Sequence, residues 1–141
     1  MSRLIKQDLE ILTKKSKKFD HKTDSYIFSL LEEELKHHQG VGIAAVQIGI
    51  LTNAFIVKHN EEILKFANPV LVSTRLARYQ VIEGCLSFPK EYFIVERYPE
   101  IVLKDDINGE KVYSGYLAQI IQHEYDHIKG ITLKQSGKII S

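Results

Sequence analysis

His123 and His127 stand four residues apart in QHEYDHIKG (residues 122–130), within a segment where Leu117, Ile120, Ile121 and Ile128 recur at helical spacing. This stretch constrains the fold more than any other. A helix over 115–129, stopped by Gly130 as its C′ residue, must lay one side against apolar neighbours and carry both imidazoles on a single face. At 3.6 residues per turn the two rings lie about 40° apart around the axis and about 6 Å apart along it, within reach of one metal ion. Glu124 leans to the side of the pair, where it can take a proton from a water polarised by the ion without ligating the ion itself. Tyr116 and Ile120 share the histidine face one and two turns earlier, which predicts that this face points inward. Buried imidazoles need partners, and a metal is one.

Upstream, Ile27, Leu30, Leu31 and Leu35 predict a second helix over 24–38, with Asp24 as N-cap and Gly40 as stop. Between the helices lie short β-branched runs at 54–57 and 101–103, bounded by Asn, Pro, Asp and Gly, which read as strands. Asn108-Gly109, between 101–105 and 111–113, predicts a type I′ hairpin in which both residues have positive φ. A helix, a block of strands and a helix make an α+β domain. A chain of 141 residues without repeats or linkers fits a single domain spanning 1–141.

The formal charge of +1, from 19 basic and 18 acidic residues, supplies no global field for nucleic acid or an anionic membrane. Lys14, Lys15, Lys17 and Lys18 have no interleaved aromatics and read as a solvated face. No run approaches the length of a spanning helix, and MSRLIKQDLE has no secretory pattern, so the chain is expected to stay where it is made.

A catalytic metal usually takes three protein ligands and keeps one position open. His21, His37, His38 and His59 lie in polar surroundings and are set aside. The single cysteine, Cys85, cannot form an internal disulfide and sits in EGCLS (83–87) behind a glycine. Alone it reads as a small buried hydrophobe; beside an H-E-x-x-H helix it becomes the candidate third ligand. GVGIAAVQIG (40–49) satisfies G-x-G-x-x-G/A at Gly40, Gly42 and Ala45, but a helix precedes it and the run that follows reads as extended. A dinucleotide loop needs the reverse order and is rejected. Gln47, an amide in that apolar run, is expected to be buried with its donors aimed at a partner.

In order, GVGIAAVQ, EGCLS and QHEYDH match G-x-G-x-A-A-x-Q, E-G-C-x-S and H-E-x-D-H, and together they resemble the peptide deformylase family. The resemblance runs from about Asp24 to Gly130 and takes in Asn68-Pro69. It implies mixed antiparallel β-sheets packed around a C-terminal metal-binding helix, with an N-terminal helix. It implies further that Cys85, His123 and His127 bind a divalent metal, iron (Fe2+) in many members, and that Glu124 is the general base. Gln47 and the N–H of Leu86 would meet the oxyanion, and Gly42 would pair with the substrate backbone. Glu83 and Arg97 resemble an ion pair that braces the cysteine segment.

Tyr92 departs from the arginine of many relatives, the N-terminus lacks their proline-rich opening, and the chain ends eleven residues after Gly130, where a longer tail is common.

The function implied is metal-dependent removal of the formyl group from the N-terminal formylmethionine of new polypeptides, releasing formate. Val41, Tyr116 and Ile120 are candidates for the wall of the methionine pocket, with plain core packing as the other reading. The donor set alone also admits Zn2+, Ni2+ or Co2+. N-formylmethionyl nascent peptides are the expected partners, with a transient ribosome contact. The expected setting is the cytoplasm or another compartment with bacterial-type translation, a phage-infected cell included. Two other readings stay open: a zinc-dependent peptidase using the H-E-x-x-H helix, and a non-catalytic metal-stabilised binding domain.

Overall fold

The computed structural model describes residues 5–140. In chain order it comprises α1 (Leu9–Leu12), α2 (Tyr26–Leu35), β1 (Gly42–Ala44), a 3-10 turn (Ala45–Ile48), β2 (Ala54–His59) and β3 (Glu62–Ala67). There follow β4 (Val70–Arg75), β5 (Tyr79–Cys85), β6 (Phe88–Arg97), β7 (Glu100–Asp105), β8 (Gly109–Ser114), α3 (Gly115–Ile128), α4 (Leu133–Ser136) and β9 (Lys138–Ile139). The strands form three antiparallel sheets ordered β1–β2–β3, β4–β7–β8 and β5–β6–β9. This is the α+β architecture expected, with antiparallel sheets around α3.

Strand alternation explains how the layers meet. On β2, Phe55 and Val57 join Ala118, Ile120, Ile121 and Ile128 of α3 in one buried cluster. Ala54 and Ile56 point the other way and pack with Ile27, Phe28, Leu31 and Leu35 of α2 in a second cluster. The first sheet is therefore sandwiched between the helices, and β1 is buried throughout. That is why its sequence is continuously apolar rather than alternating. Because β1 ends the order of its sheet, one of its backbone edges is not used by β2.

Several local expectations are corrected. The first long helix is Tyr26–Leu35 rather than 24–38. The Asp24 carboxylate accepts the N–H of Asp20 at 2.8 Å within the preceding turn, instead of capping the helix. Beyond Leu35, the N–H groups of His37 and His38 bond back three residues, to Glu34 and Leu35, so the helix tightens and ends before Gly40. Within 40–49 only Gly42–Ala44 is extended. Gln47 Oε1 accepts the Ala44 N–H at 3.0 Å, the backbone curls into the 3-10 turn, and Gly49 closes it at φ 84°.

The β7–β8 hairpin exists, but Asp105 pairs with Gly109 and only the glycine has positive φ. Asp105 accepts the N–H groups of Ile107 and Asn108, so its side chain organises a three-residue loop in place of the type I′ turn. A two-residue turn with both φ values positive does occur, at Asn60 and Glu61 between β2 and β3. Helix α3 and Gly130, at φ 78°, stand as expected. Lys14, Lys15, Lys17 and Lys18 are exposed. No helix among the described residues is long and apolar enough to cross a membrane.

Candidate metal centre and its cleft

The long β5–β6 hairpin lays Cys85, at the end of β5, against one face of α3. Cys85 Sγ lies 3.4 Å from His127 Nε2, and the two Nε2 atoms lie 3.3 Å apart. All three donor atoms fall within 4.8 Å of one another, and they are the one such group of three found among the described residues. Metal–ligand distances of about 2.0–2.3 Å at tetrahedral angles require neighbouring donors roughly 3.3–3.6 Å apart. The Cys85–His127 and His123–His127 separations meet that requirement, so the donor set fits a single cation.

The surroundings prepare the donors. Glu83 Oε1 lies 3.0 Å from His123 Nδ1, while Arg97 donates Nη2–H to Oε1 at 2.7 Å and Nε–H to Oε2 at 2.9 Å. Arg97 also donates Nη1–H to Asp126 at 2.7 Å. Burial by itself would raise the Glu83 pKa, but the Arg97 and His123 hydrogen bonds outweigh it and hold the group down at about 2. An ionised carboxylate only accepts, so His123 Nδ1 donates and its Nε2 lone pair faces the cation position. The half-buried Cys85 thiol is likewise held well below its ordinary range: desolvation opposes ionisation, and His127 and His123 overcome it.

Glu124 is almost fully buried next to this triad, and its Oε1 has no hydrogen-bond partner among the described residues. Burial pushes its carboxyl up to about 7, against the pull of His123 and His127. Gly42 makes room for it, because a Cβ there would lie 2.7 Å from Glu124 Oε2. Gln47, also buried, donates Nε2–H to Ser87 Oγ at 3.1 Å and towards Cys85 Sγ at 3.5 Å.

These groups line a cleft of about 360 Å³. Gly42, Val41, Leu86, Tyr116 and Ile120 also line it, so the structure brings together every expected site residue except His127, which lies behind the wall as a member of the triad. The inward-facing expectation for the histidine side of α3 needs one correction. Ile120 is buried but Tyr116 is 61% exposed, because the first turn of the helix rises to the rim of the cleft. The histidines set aside lie elsewhere: His21 pairs with Asp106, His38 with Glu34, and His59 with Asn60.

Sequence reasoning missed Ser87 as the Gln47 acceptor and Asp126 as the second partner of Arg97. The spacing of Asp126, three residues after His123, was the available signal. Ile82, Lys90, Glu91 and Gln119 in the cleft wall carried none.

A profile of the polypeptide deformylase family matches residues 1–137. The chain belongs to the peptide deformylase family. Among its relatives, peptide deformylase 2 of Clostridium acetobutylicum is 35% identical over 129 residues, covering 86% of this chain and 85% of that protein. The peptide deformylase of Thermotoga maritima is 33% identical over 130 residues, covering 87% and 79%. The crystal structure of peptide deformylase from Thermotoga maritima superposes with a TM-score of 0.86 at 29% identity, covering 96% of this chain and 97% of that one. A Plasmodium falciparum peptide deformylase gives 0.84 at 27%, covering 95% and 86%. As a deformylase-family fold the chain is a hydrolytic enzyme, and its triad is the place where a metal would bind.

Proposed function

We propose that this chain hydrolyses the formamide of N-terminal formylmethionine on newly made polypeptides, releasing formate and a free amine. The observation that carries the reading is the tetrahedral spacing of the Cys85, His123 and His127 donors next to a buried carboxyl poised near neutrality. Cys85, His123 and His127 would hold a divalent cation, which would supply Lewis acidity for polarising a carbonyl and for making water easier to deprotonate. Glu124 takes the proton from the attacking water as its oxygen bonds to the formyl carbon, then gives that proton to the amine nitrogen, so the C–N bond breaks as the carbonyl C=O bond re-forms and formate leaves. Gln47 Nε2–H and the Leu86 N–H donate to the oxygen that becomes negative; removing one such donor costs roughly 10²- to 10³-fold in rate.

Gly42, on the free edge of β1, pairs with the substrate main chain as an added strand. Val41, Ile120 and Tyr116 contact the methionine side chain. Glu83 holds the His123 lone pair toward the cation. The proposed ion is iron(II), with zinc, nickel or cobalt able to use the same donors. The proposed setting is a compartment with bacterial-type translation, where the nascent chain also brings transient contact with the ribosome. A zinc-dependent peptidase and a non-catalytic metal-stabilised domain find no support in the family match.

The test is formate release from formyl-Met-Ala-Ser by protein prepared with and without air, with metal content measured on each sample and an internal peptide as control. Formate release that declines in air as iron is oxidised is the expected result. Cleavage of the internal peptide without formate release would overturn the reading, and equal stability in both preparations would remove iron.

A further inference from the structure

The two histidines of the triad are braced differently. Glu83 holds His123 Nδ1 at 3.0 Å, whereas His127 Nδ1 is buried and has no hydrogen-bond partner among the described residues. His127 is 1% exposed, so bulk water does not serve the ring. A neutral imidazole carries one hydrogen, and an Nε2 lone pair directed at a cation leaves that hydrogen on Nδ1. Burying this N–H without an acceptor is costly, and the other tautomer would put the hydrogen where the cation binds.

His127 lines a narrow crevice separate from the cleft, shared with Arg97, Asp126, Ile131, Thr132 and Ser136. The crevice is too narrow for a water molecule, so the acceptor has to be a side chain. Arg97 only donates, and its Nε, Nη1 and Nη2 are held by Glu83 and Asp126. Asp126 follows its neighbour by about 100° around α3 and spends Oδ2 on Arg97. Ser136 is exposed and donates its hydroxyl to the Thr132 carbonyl at 3.2 Å. Thr132 Oγ1 is left: it too is buried without a partner, on a residue 1% exposed.

Thr132 stands at the N-cap of α4, where a hydroxyl ordinarily accepts from the first turn, but here it makes no such bond. The Gln135 and Ser136 N–H groups go instead to the Thr132 carbonyl, at 3.0 and 3.1 Å, and the Thr132 N–H goes to Gln135 Oε1 at 2.7 Å. Every other polar group of the residue is engaged, and the hydroxyl is spare. We propose that Thr132 is a positioning residue: its hydroxyl oxygen accepts the His127 Nδ1–H and keeps the Nε2 lone pair turned toward the cation, as Glu83 does for His123. As the side chains stand the pair is unbonded, so the proposal includes a rotamer adjustment of Thr132. It rests on the triad being a metal centre, as proposed above.

The test is zinc affinity of the metal-stripped full chain, measured by competition with a chromophoric chelator, for the unaltered protein, Thr132→Val and Thr132→Ser. Thr132→Val keeps the branched shape and removes the acceptor, and Thr132→Ser keeps the hydroxyl. Zinc binding should weaken about tenfold or more in Thr132→Val and stay within about threefold in Thr132→Ser. In proton NMR of the zinc-loaded forms, the His127 Nδ1–H resonance should move upfield in Thr132→Val alone. Equal zinc affinity in Thr132→Val, an unmoved resonance, or the same loss in Thr132→Ser overturns the proposal, the last because packing of α4 rather than the hydroxyl would then matter. Should Thr132→Val not fold, the unaltered zinc-loaded protein decides: a nuclear Overhauser contact from His127 Nδ1–H to the Thr132 side chain supports the proposal, and its absence overturns it. Failure of the unaltered chain to bind zinc refutes the metal centre itself, whereas zinc binding indifferent to Thr132 refutes the positioning role alone.

Discussion

Glu83→Gln removes one negative charge from a site where a single carboxylate holds both Arg97 and His123. The Glu83 and Arg97 side chains are only 6% and 5% exposed, so water compensates little for the lost charge. The Glu83 pKa falls from 4.5 to about 2 on folding, and at about 1.4 kcal/mol per unit this corresponds to roughly 3 kcal/mol of stability. Independent experience with buried ion pairs gives the same scale, about 3–5 kcal/mol when one partner is removed. Asp126 remains beside Arg97 and is more exposed, which favours the lower figure.

Because the folded pKa is depressed, the contribution is fully present above about 4.5 and is lost as pH falls towards 2. Urea unfolding of the metal-free protein should therefore show Glu83→Gln less stable by about 3 kcal/mol at pH 7, with the gap closing below pH 4.5. The same substitution weakens the constraint on the His123 tautomer, and metal titration should show affinity reduced about 10- to 100-fold. A gap under 1 kcal/mol that does not change with pH, together with unaltered metal affinity, would refute the reasoning.

Glu124→Ala should lower kcat for formate release by roughly 10²- to 10⁴-fold while metal content stays at the unaltered level; retained turnover with metal bound would remove Glu124 from the proton-transfer role. Gly42→Ala places a methyl group 2.7 Å from the Glu124 carboxylate oxygen, so activity should drop at least about tenfold with little change in Tm, as measured by parallel assay and thermal scan. Gly130→Ala combines φ 78° with a Cβ 2.6 Å from the Thr13 carbonyl oxygen. It should cost about 2 kcal/mol or more in denaturant unfolding, and an unchanged midpoint would contradict the close approach of α3 to the 13–14 backbone.

Much of the fold was readable where the signal is local. Helix α3 follows from side chains repeating every three to four residues, and its histidine pair follows from the same geometry. The run at 54–57 announced β2 because β-branched and aromatic residues suit a pleated, packed surface. Reading failed where a side chain competes with the backbone. Asp105 claims the N–H groups that would have shaped a type I′ turn, and Gln47 claims the Ala44 N–H and ends the strand that its apolar neighbours suggested. The short α4–β9 segment escaped notice because four helical and two strand residues are too few to establish a period.

The amino-acid string alone determined which chemical groups are available: one thiol, a helical pair of imidazoles with an adjoining carboxyl, and an amide set among apolar residues. Those depend on residue identity and on spacing within a few positions. Only the tertiary structure decided that Cys85 meets residues about forty positions later at tetrahedral spacing and that Glu83 links Arg97 to His123. The physical reason is that such contacts are set by strand register and by the packing of a hairpin against a helix, and no local periodicity encodes which distant faces will meet.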